Sequence, residues 1–323
     1  MTGRRDAAAE RFDHFMARAN AAYYANCDPF ADFTTAPEIS QVFGELLGGW
    51  ARVVHGMMGA PADVMLVEAG PGRGTLMADA LRVWPNAGSV HFIETSARLR
   101  ALQAAKVPGA VWHDGLETLP ARPFILLANE FLDALPVRQF VCREAGWMER
   151  HVCNGAYVER PADCAGLPAA AAGTVREVGE AAAGFVRDVA ARGGVGLFID
   201  YGPERSAAGS SVQAISGGRP ADPLAAPGAA DVTAHVDFEA LGAAARAVGA
   251  AVQGPVTQSR FLTALGLFQR TDALAQARPD RALALRAAAR RLTAPEAMGS
   301  LFKAMAVAPA GMAALPGFEP WMS

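Results

Sequence analysis

One stretch in the first third of the chain constrains the rest: Leu66-Val67-Glu68-Ala69-Gly70-Pro71-Gly72-Arg73-Gly74-Thr75-Leu76. Val64 to Val67 is an apolar run long enough for a buried strand, and a carboxylate ends it. Glycine then takes every second position, and Thr75 to Trp84 has the pattern of a helix. Residues without a Cβ permit a sharp turn and let a ligand lie against the backbone. The helix start behind them offers free N–H groups at its positive end. Spacing narrows the ligand. Dinucleotide loops read G-x-G-x-x-G and P-loops end in G-K-[ST]. This loop reads E-x-G-x-G-x-G, with no lysine after its last glycine.

Downstream, strand and helix patterns alternate, which predicts an α/β fold with a largely parallel sheet. Ser89 to Ile93 forms a strand ending at Glu94, twenty residues past Gly74, where an acid can accept both hydroxyls of a ribose. Ser96 to Lys106 is a helix, and Ala110 to Trp112 a short strand ending in His113-Asp114. Phe124 to Ala128 is a strongly apolar strand that finishes in Asn129-Glu130, with Asp133 one turn on. In open α/β sheets the chemistry collects beyond the carboxyl ends of the strands, and a charge beside a buried strand is costly unless it has a use. Gly196 to Gly202 is a fifth strand with Asp200 and Tyr201 at its tip, Ala251 to Thr257 a sixth, and Ser300 to Ala308 a last one.

Between these lie a hairpin over Val137 to Val158, a loose connection over 161–173, a helix over Val175 to Ala191 and a long loop over 203–230. Gln258 to Leu292 reads as a helical insertion. Residues 1–60 read as a helical extension, with an apolar stripe of Ile39, Val42, Phe43, Leu46, Leu47 and Trp50 on a helix from Glu38 to Val54. Thr35-Ala36-Pro37-Glu38 supplies its start signal. The expected organisation is 1–60, then 61–310 with insertions at about 137–192 and 258–293, then a tail over 311–323.

Hydrophobic residues make up 52% and charged residues 19%, which excludes a disordered chain. A net charge of −3 gives no global basic field for nucleic acid. Of the 29 basic residues only Lys106 and Lys303 are lysines. The four cysteines form no C-x-x-C pair and no metal-ligand spacing with the six histidines, so no metal is expected. Cys142 and Cys153 could face each other across the hairpin, but free thiols are the expectation in a chain with no export signal. Arginines and acids mix in the first twenty residues, and no apolar run reaches the length of a membrane span. A soluble cytoplasmic protein is expected.

Several blocks occur in one order: Asp32 to Glu45, Val67 to Leu76, Asn129 to Pro136, Phe198 to Gly202, Thr233 to Phe238 and Gly299 to Ala304. Together they resemble the MidA-like family of class I S-adenosylmethionine-dependent methyltransferases. Its mitochondrial members are complex I assembly factors that act as protein arginine methyltransferases. The resemblance implies a Rossmann-like seven-stranded sheet with its last strand antiparallel, and S-adenosylmethionine as cofactor. Glu68 would then lie near the methionine part, with Gly70, Gly72, Gly74 and Thr75 against the adenosyl group. Glu94 and Thr95 would take the ribose and Asp114 the adenine amino group, with Asn129 also at the cofactor. A guanidinium acceptor stays protonated at neutral pH and needs carboxylates to hold it. Glu130 and Asp133 are the candidates, with Tyr201 and His235 to orient it or take a proton, and Asp32, Thr35 and Glu38 on the substrate side.

Two departures from the family pattern stand out. Pro29-Phe30 runs almost directly into Asp32-Phe33, and residue 69 is Ala where a larger aliphatic residue is usual. The short connection bears on substrate choice. It keeps open a small-molecule O- or N-methyltransferase, and a non-catalytic cofactor-binding assembly chaperone that grips a partner through 1–60 and 258–292. A nicotinamide dehydrogenase is a more distant reading, which calorimetry with NAD would separate.

Overall fold

The computed structural model describes residues 9–27, 34–162 and 166–320. In chain order the first elements are β1 (Glu10–Arg11), α1 (Phe12–Asn26), α2 (Ala36–Ile39), α3 (Gln41–Met57), β2 (Met65–Ala69), α4 (Thr75–Val83), β3 (Ser89–Ile93), α5 (Ala97–Lys106), β4 (Val111–His113) and β5 (Phe124–Asn129). The middle holds β6 (Arg138–Arg143), β7 (Gly146–Cys153), β8 (Ala156–Pro161), β9 (Val175–Val178), α6 (Glu180–Ala191), β10 (Val195–Tyr201), β11 (Gln213–Ser216), β12 (Arg219–Ala221) and β13 (Asp231–Thr233). The last part is α7 (Phe238–Ala247), β14 (Ala251–Thr257), α8 (Gln258–Ala264), α9 (Leu267–Ala277), α10 (Ala282–Thr293) and β15 (Phe302–Ala308). These fall into two compact units. One comprises the described parts of 1–33, 133–182 and 206–237, the other 34–132, 183–205 and 238–323. The stretch drawn from sequence as one extension over 1–60 is thus shared between them.

The larger unit contains a seven-stranded sheet in the order β14-β15-β10-β5-β2-β3-β4. β4, β3, β2, β5 and β10 run parallel, and β15 is antiparallel to β10 and β14, as the resemblance implied. Parallel strands need both faces covered, which explains their near-continuous apolar runs. On one face Leu66, Phe92, Ile125, Leu127, Leu197 and Ile199 pack with Val42, Phe43, Leu47 and Trp50 of α3, Leu76 and Met77 of α4, and Phe261 and Leu292 of α8 and α10. Burial of such side chains contributes roughly 1.5–3 kcal/mol each.

α3 and α4 approach closely because Gly44 and Gly48 are one turn apart on α3. A Cβ on Gly48 would lie 2.4 Å from the carbonyl oxygen of Ala80, and one on Gly44 2.7 Å from Cβ of Asp79. The single helix expected from Glu38 is broken at Ser40, whose backbone is extended (φ −152°, ψ 125°). Its hydroxyl accepts the Val42 N–H at 3.3 Å, so a cap wins over continuation.

The smaller unit departs further from expectation. Val137 to Val158 forms more than a hairpin: β7 pairs with β6, β8 and β1, and β6 pairs with β9, in a five-stranded sheet. β9 occupies residues read as the start of a helix. Val175-Arg-Glu-Val has a β-branched residue at each end, and Gly179 separates it from α6. The loop over 203–230 holds two strands, β11 and β12, joined at Gly217-Gly218 (φ 59° and 69°) and extended by β13 into a three-stranded sheet. Positive φ at both central residues matches the twist of a two-residue hairpin, a signal masked by the loop-like composition around it. Phe12, Phe15, Met16 and Ala19 of α1 form this unit's core with Val137, Val152, Ala214 and Val232.

Cys142 lies opposite Trp147 and Cys153 opposite Ala156, so the two do not face each other. The Cys142 thiol donates to the Ala170 carbonyl at 3.1 Å, and Cys164 lies outside the described residues. No helix among the described residues is long and apolar enough to cross a membrane.

Candidate active site

Strand register decides which side chains can share a site in the larger unit. Glu68 pairs with Leu127, and Asn129 stands two residues further along β5, so both project from the same face. Asn129 pairs with Ile199, and Tyr201 two residues on shares that face again. Three of the expected site residues therefore line one side of the carboxyl ends of adjacent strands.

Glu68 is buried, with only 3% of its surface exposed. A backbone hydrogen bond from Met77, in the first turn of α4, reaches its carboxylate, and burial drives its pKa up to about 8 against that bond. Its Oε2 finds no hydrogen-bond partner among the described residues, and neither does the buried Oδ1 of Asn129. Two orphaned acceptors on one face of neighbouring strand tips are costly unless a donor is meant to arrive. An ammonium group, with three N–H donors and a positive charge, suits both. The amino-acid half of S-adenosylmethionine carries such a group, so the residues present fit that cofactor.

The glycine loop is shaped as expected. Gly70, Gly72 and Gly74 have φ of 64°, 54° and 74°, a region that side chains with a Cβ resist. A Cβ on Gly70 would also lie 2.7 Å from the Phe131 ring. Thr75 opens α4, but its hydroxyl is already engaged: it donates to Glu38 Oε1 and accepts from Lys106 Nζ. Two residues assigned separately to cofactor and substrate are thus brought together. Thr35 precedes α2 without a side-chain cap bond, and Asp32 lies outside the described residues.

Glu94 sits just past β3. Its Oε1 accepts the Ser96 N–H at 2.7 Å and its Oε2 accepts from Gln103 Nε2 at 3.2 Å. Burial raises its pKa, and those hydrogen bonds oppose the rise. Thr95 beside it is exposed. Asp114 is exposed as well and pairs with Arg100, which also donates to the Glu94 carbonyl.

Glu130 follows β5 with φ of 50°, a left-handed conformation unusual outside glycine. Its N–H donates to the Ile199 carbonyl at 2.9 Å, and its Oε1 accepts the Ala36 N–H at 2.9 Å and Asn129 Nδ2 at 3.1 Å. The carboxylate thereby holds the start of α2, the place where a helix presents unsatisfied N–H groups. The turn after it has a support to which the sequence assigned no role. Buried Asp200 accepts the Phe131 and Leu132 N–H groups on Oδ2, at 3.2 and 2.9 Å, and the Tyr201 N–H on Oδ1 at 2.9 Å. An acid inside an apolar strand was the available signal for it. Tyr201 packs its ring against Phe302 at 5.4 Å between centroids.

Lys303, buried, donates to the Ser300 carbonyl at the start of β15, and burial lowers its pKa. Asp133 and His235 belong to the smaller unit. The Asp133 carbonyl accepts the Ala234 N–H at 3.0 Å, and the His235 N–H donates to Ser211 Oγ at 2.8 Å. The packed side of the His235 ring lowers its pKa, with the Glu177 charge acting in the opposite sense. In the same unit Tyr24 donates to Asp231 Oδ1 at 2.9 Å. No group of three or more His, Cys, Asp or Glu suited to a metal occurs among the described residues.

Comparison with known proteins agrees with this geometry. Residues 46–256 match the family described as S-adenosyl-L-methionine-dependent methyltransferase. The mitochondrial protein arginine methyltransferase NDUFAF7 homolog of Drosophila melanogaster is 33% identical, over 95% of this chain and 82% of its own length. The mitochondrial NDUFAF7 protein arginine methyltransferase of Mus musculus is 32% identical, over 93% of this chain and 80% of its own. A Burkholderia thailandensis protein solved with bound S-adenosyl-homocysteine superposes with a TM-score of 0.81 at 27% identity, covering 96% of this chain and 90% of that one. With its glycine loop, strand order and orphaned acceptors in place, this chain belongs to the S-adenosyl-L-methionine-dependent methyltransferase family.

Proposed function

We propose that this methyltransferase acts on a protein, and that the acceptor is an arginine guanidinium nitrogen. The observation that carries the acceptor is the relationship itself: relatives at 32–33% identity over most of the chain are named protein arginine methyltransferases. Bound S-adenosylmethionine would supply an electrophilic methyl on a sulfonium to a guanidinium nitrogen, and the proton displaced from that nitrogen would pass to the carboxylate that holds it and on to solvent. What the protein must add is alignment, exclusion of water and fixed charge.

Glu68 and Asn129 offer their unpaired oxygens to the cofactor ammonium. Glu94 keeps acceptor capacity for the ribose hydroxyls, and the glycine loop leaves room for the nucleoside. Glu130, held in a left-handed conformation at a strand tip, is the carboxylate we assign to the acceptor guanidinium, and Tyr201 is assigned to orienting it. Asp133, His235, Thr35, Glu38 and Asp32 stay as candidates through the family likeness alone. By the same likeness the partner is a respiratory complex I subunit or its bacterial equivalent, met in the bacterial cytoplasm.

The test is incubation of the protein with methyl-labelled cofactor and purified complex I subunits, followed by mass spectrometry of each subunit. A labelled arginine is the expected result. Label on small metabolites alone, or none on any subunit, removes the protein-arginine reading.

A further inference from the structure

Gln103, on α5, is wholly buried (0% exposed) although it carries a primary amide. Its Nε2 donates to the Gly72 carbonyl at 2.8 Å and to Glu94 Oε2 at 3.2 Å, and its Oε1 accepts from Trp112 Nε1 at 2.8 Å. An indole can only donate, while the carbonyl and the carboxylate can only accept. A flipped amide would therefore lose all three bonds, so its orientation is fixed. The helix carrying it also passes close to the loop: a Cβ on Gly74 would stand 3.5 Å from the Gln103 Cα. One side chain thus ties the glycine loop to the acid after β3, and a β4 indole holds it in place.

We propose that Gln103 is a positioning residue for the nucleoside half of the cofactor, clamping the glycine loop to the Glu94 carboxylate that receives the ribose hydroxyls. This rests on the ribose role given to Glu94 above. The Ser96 N–H sits on one Glu94 oxygen and Gln103 on the other, and the Thr95 N–H also donates to the carboxylate, which still leaves acceptor capacity for a hydroxyl. The other groups around Glu94 are the Arg100 guanidinium on its carbonyl, Asp114 beyond that arginine, and the His113 carbonyl, which accepts the Glu94 N–H at 3.0 Å. The His113 imidazole is turned to His91 and Thr118, and burial lowers its pKa.

Calorimetry with two ligands tests this: S-adenosylhomocysteine, and 5′-methylthioadenosine, which lacks the amino-acid half. Gln103→Met keeps the volume and removes the donors. It should weaken both ligands by a common factor of about tenfold, the worth of one or two buried hydrogen bonds. Trp112→Phe, a milder change should Gln103→Met fail to fold, should weaken both by a smaller common factor. Glu68→Gln should weaken S-adenosylhomocysteine alone. A purely structural role would not move the pH profile. Without the Gln103 donor the Glu94 carboxyl protonates more readily, so the acid limb of 5′-methylthioadenosine binding should shift to higher pH. Unchanged 5′-methylthioadenosine affinity and acid limb in both variants, or a loss confined to S-adenosylhomocysteine, overturns the assignment of Gln103. Failure of the unaltered protein to bind either ligand would instead sink the cofactor reading beneath it.

Discussion

At the scale of single residues, Glu68 makes the strongest claim. A carboxyl with pKa about 8 in the folded chain, against 4.5 ordinarily, binds its proton more tightly folded than unfolded. Its contribution to stability is complete below the unfolded value and is lost as pH rises through the folded one, at about 1.4 kcal/mol per pH unit at most. Glu68→Gln should therefore flatten the decline in ligand-free melting temperature between pH 5 and 8, roughly the window those values set. Melting curves of both proteins across that range decide it; parallel curves would show the group is not so displaced. In the unaltered protein, cofactor binding near pH 7 should release a proton, visible as a dependence of binding enthalpy on buffer. Glu130→Gln separates two roles of that side chain. Glutamine still offers an oxygen to the Ala36 N–H, so the start of α2 stays held while the charge is removed. Methyl transfer should fall by about 100-fold or more, with cofactor affinity changed little. Transfer at the original rate would take Glu130 out of the chemistry.

Among the elements, the close contact between α3 and α4 in the larger unit is one that a single added methyl can test. Gly48→Ala puts a methyl where the Ala80 backbone already stands, at 2.4 Å from its oxygen. Neither backbone can yield cheaply, so a loss of about 1–3 kcal/mol is expected, seen as a lower denaturation midpoint with an unchanged slope. An unaffected midpoint would mean the helices slide apart at no cost. Because α4 carries the N–H group bound by Glu68, the same variant should also lose cofactor affinity.

Over the whole molecule, what could be read beforehand follows from how local each signal is. The glycine loop and the acids at strand tips announced themselves because sequence neighbours create them, whereas the antiparallel last strand was legible only through the family resemblance. β9, β11 and β12 did not: β9 pairs with β6, more than thirty residues back, and the local hairpin of β11 and β12 is only three or four residues a side in Ala-, Ser- and Gly-rich surroundings that hid the alternation. The roles of Asp200 and Gln103 were not legible for a related reason. Gln103 holds a carbonyl 31 positions away and Asp200 two N–H groups 68 and 69 positions away, which no spacing rule spans. The two lysines looked like a mere shortage, and the fold gives their placement meaning. Lys106 reaches the Thr75 hydroxyl at the start of α4 and is open to solvent, whereas Lys303 is buried at the start of β15. Mild reductive methylation should modify Lys106 readily and Lys303 only on unfolding, with peptide mass spectrometry as the readout; equal rates would contradict the burial. With so few side-chain amines, an ordinary dye chemistry becomes site-selective without mutagenesis, and a fluorophore on Lys106 would watch nucleoside arrival from the doorstep of the loop.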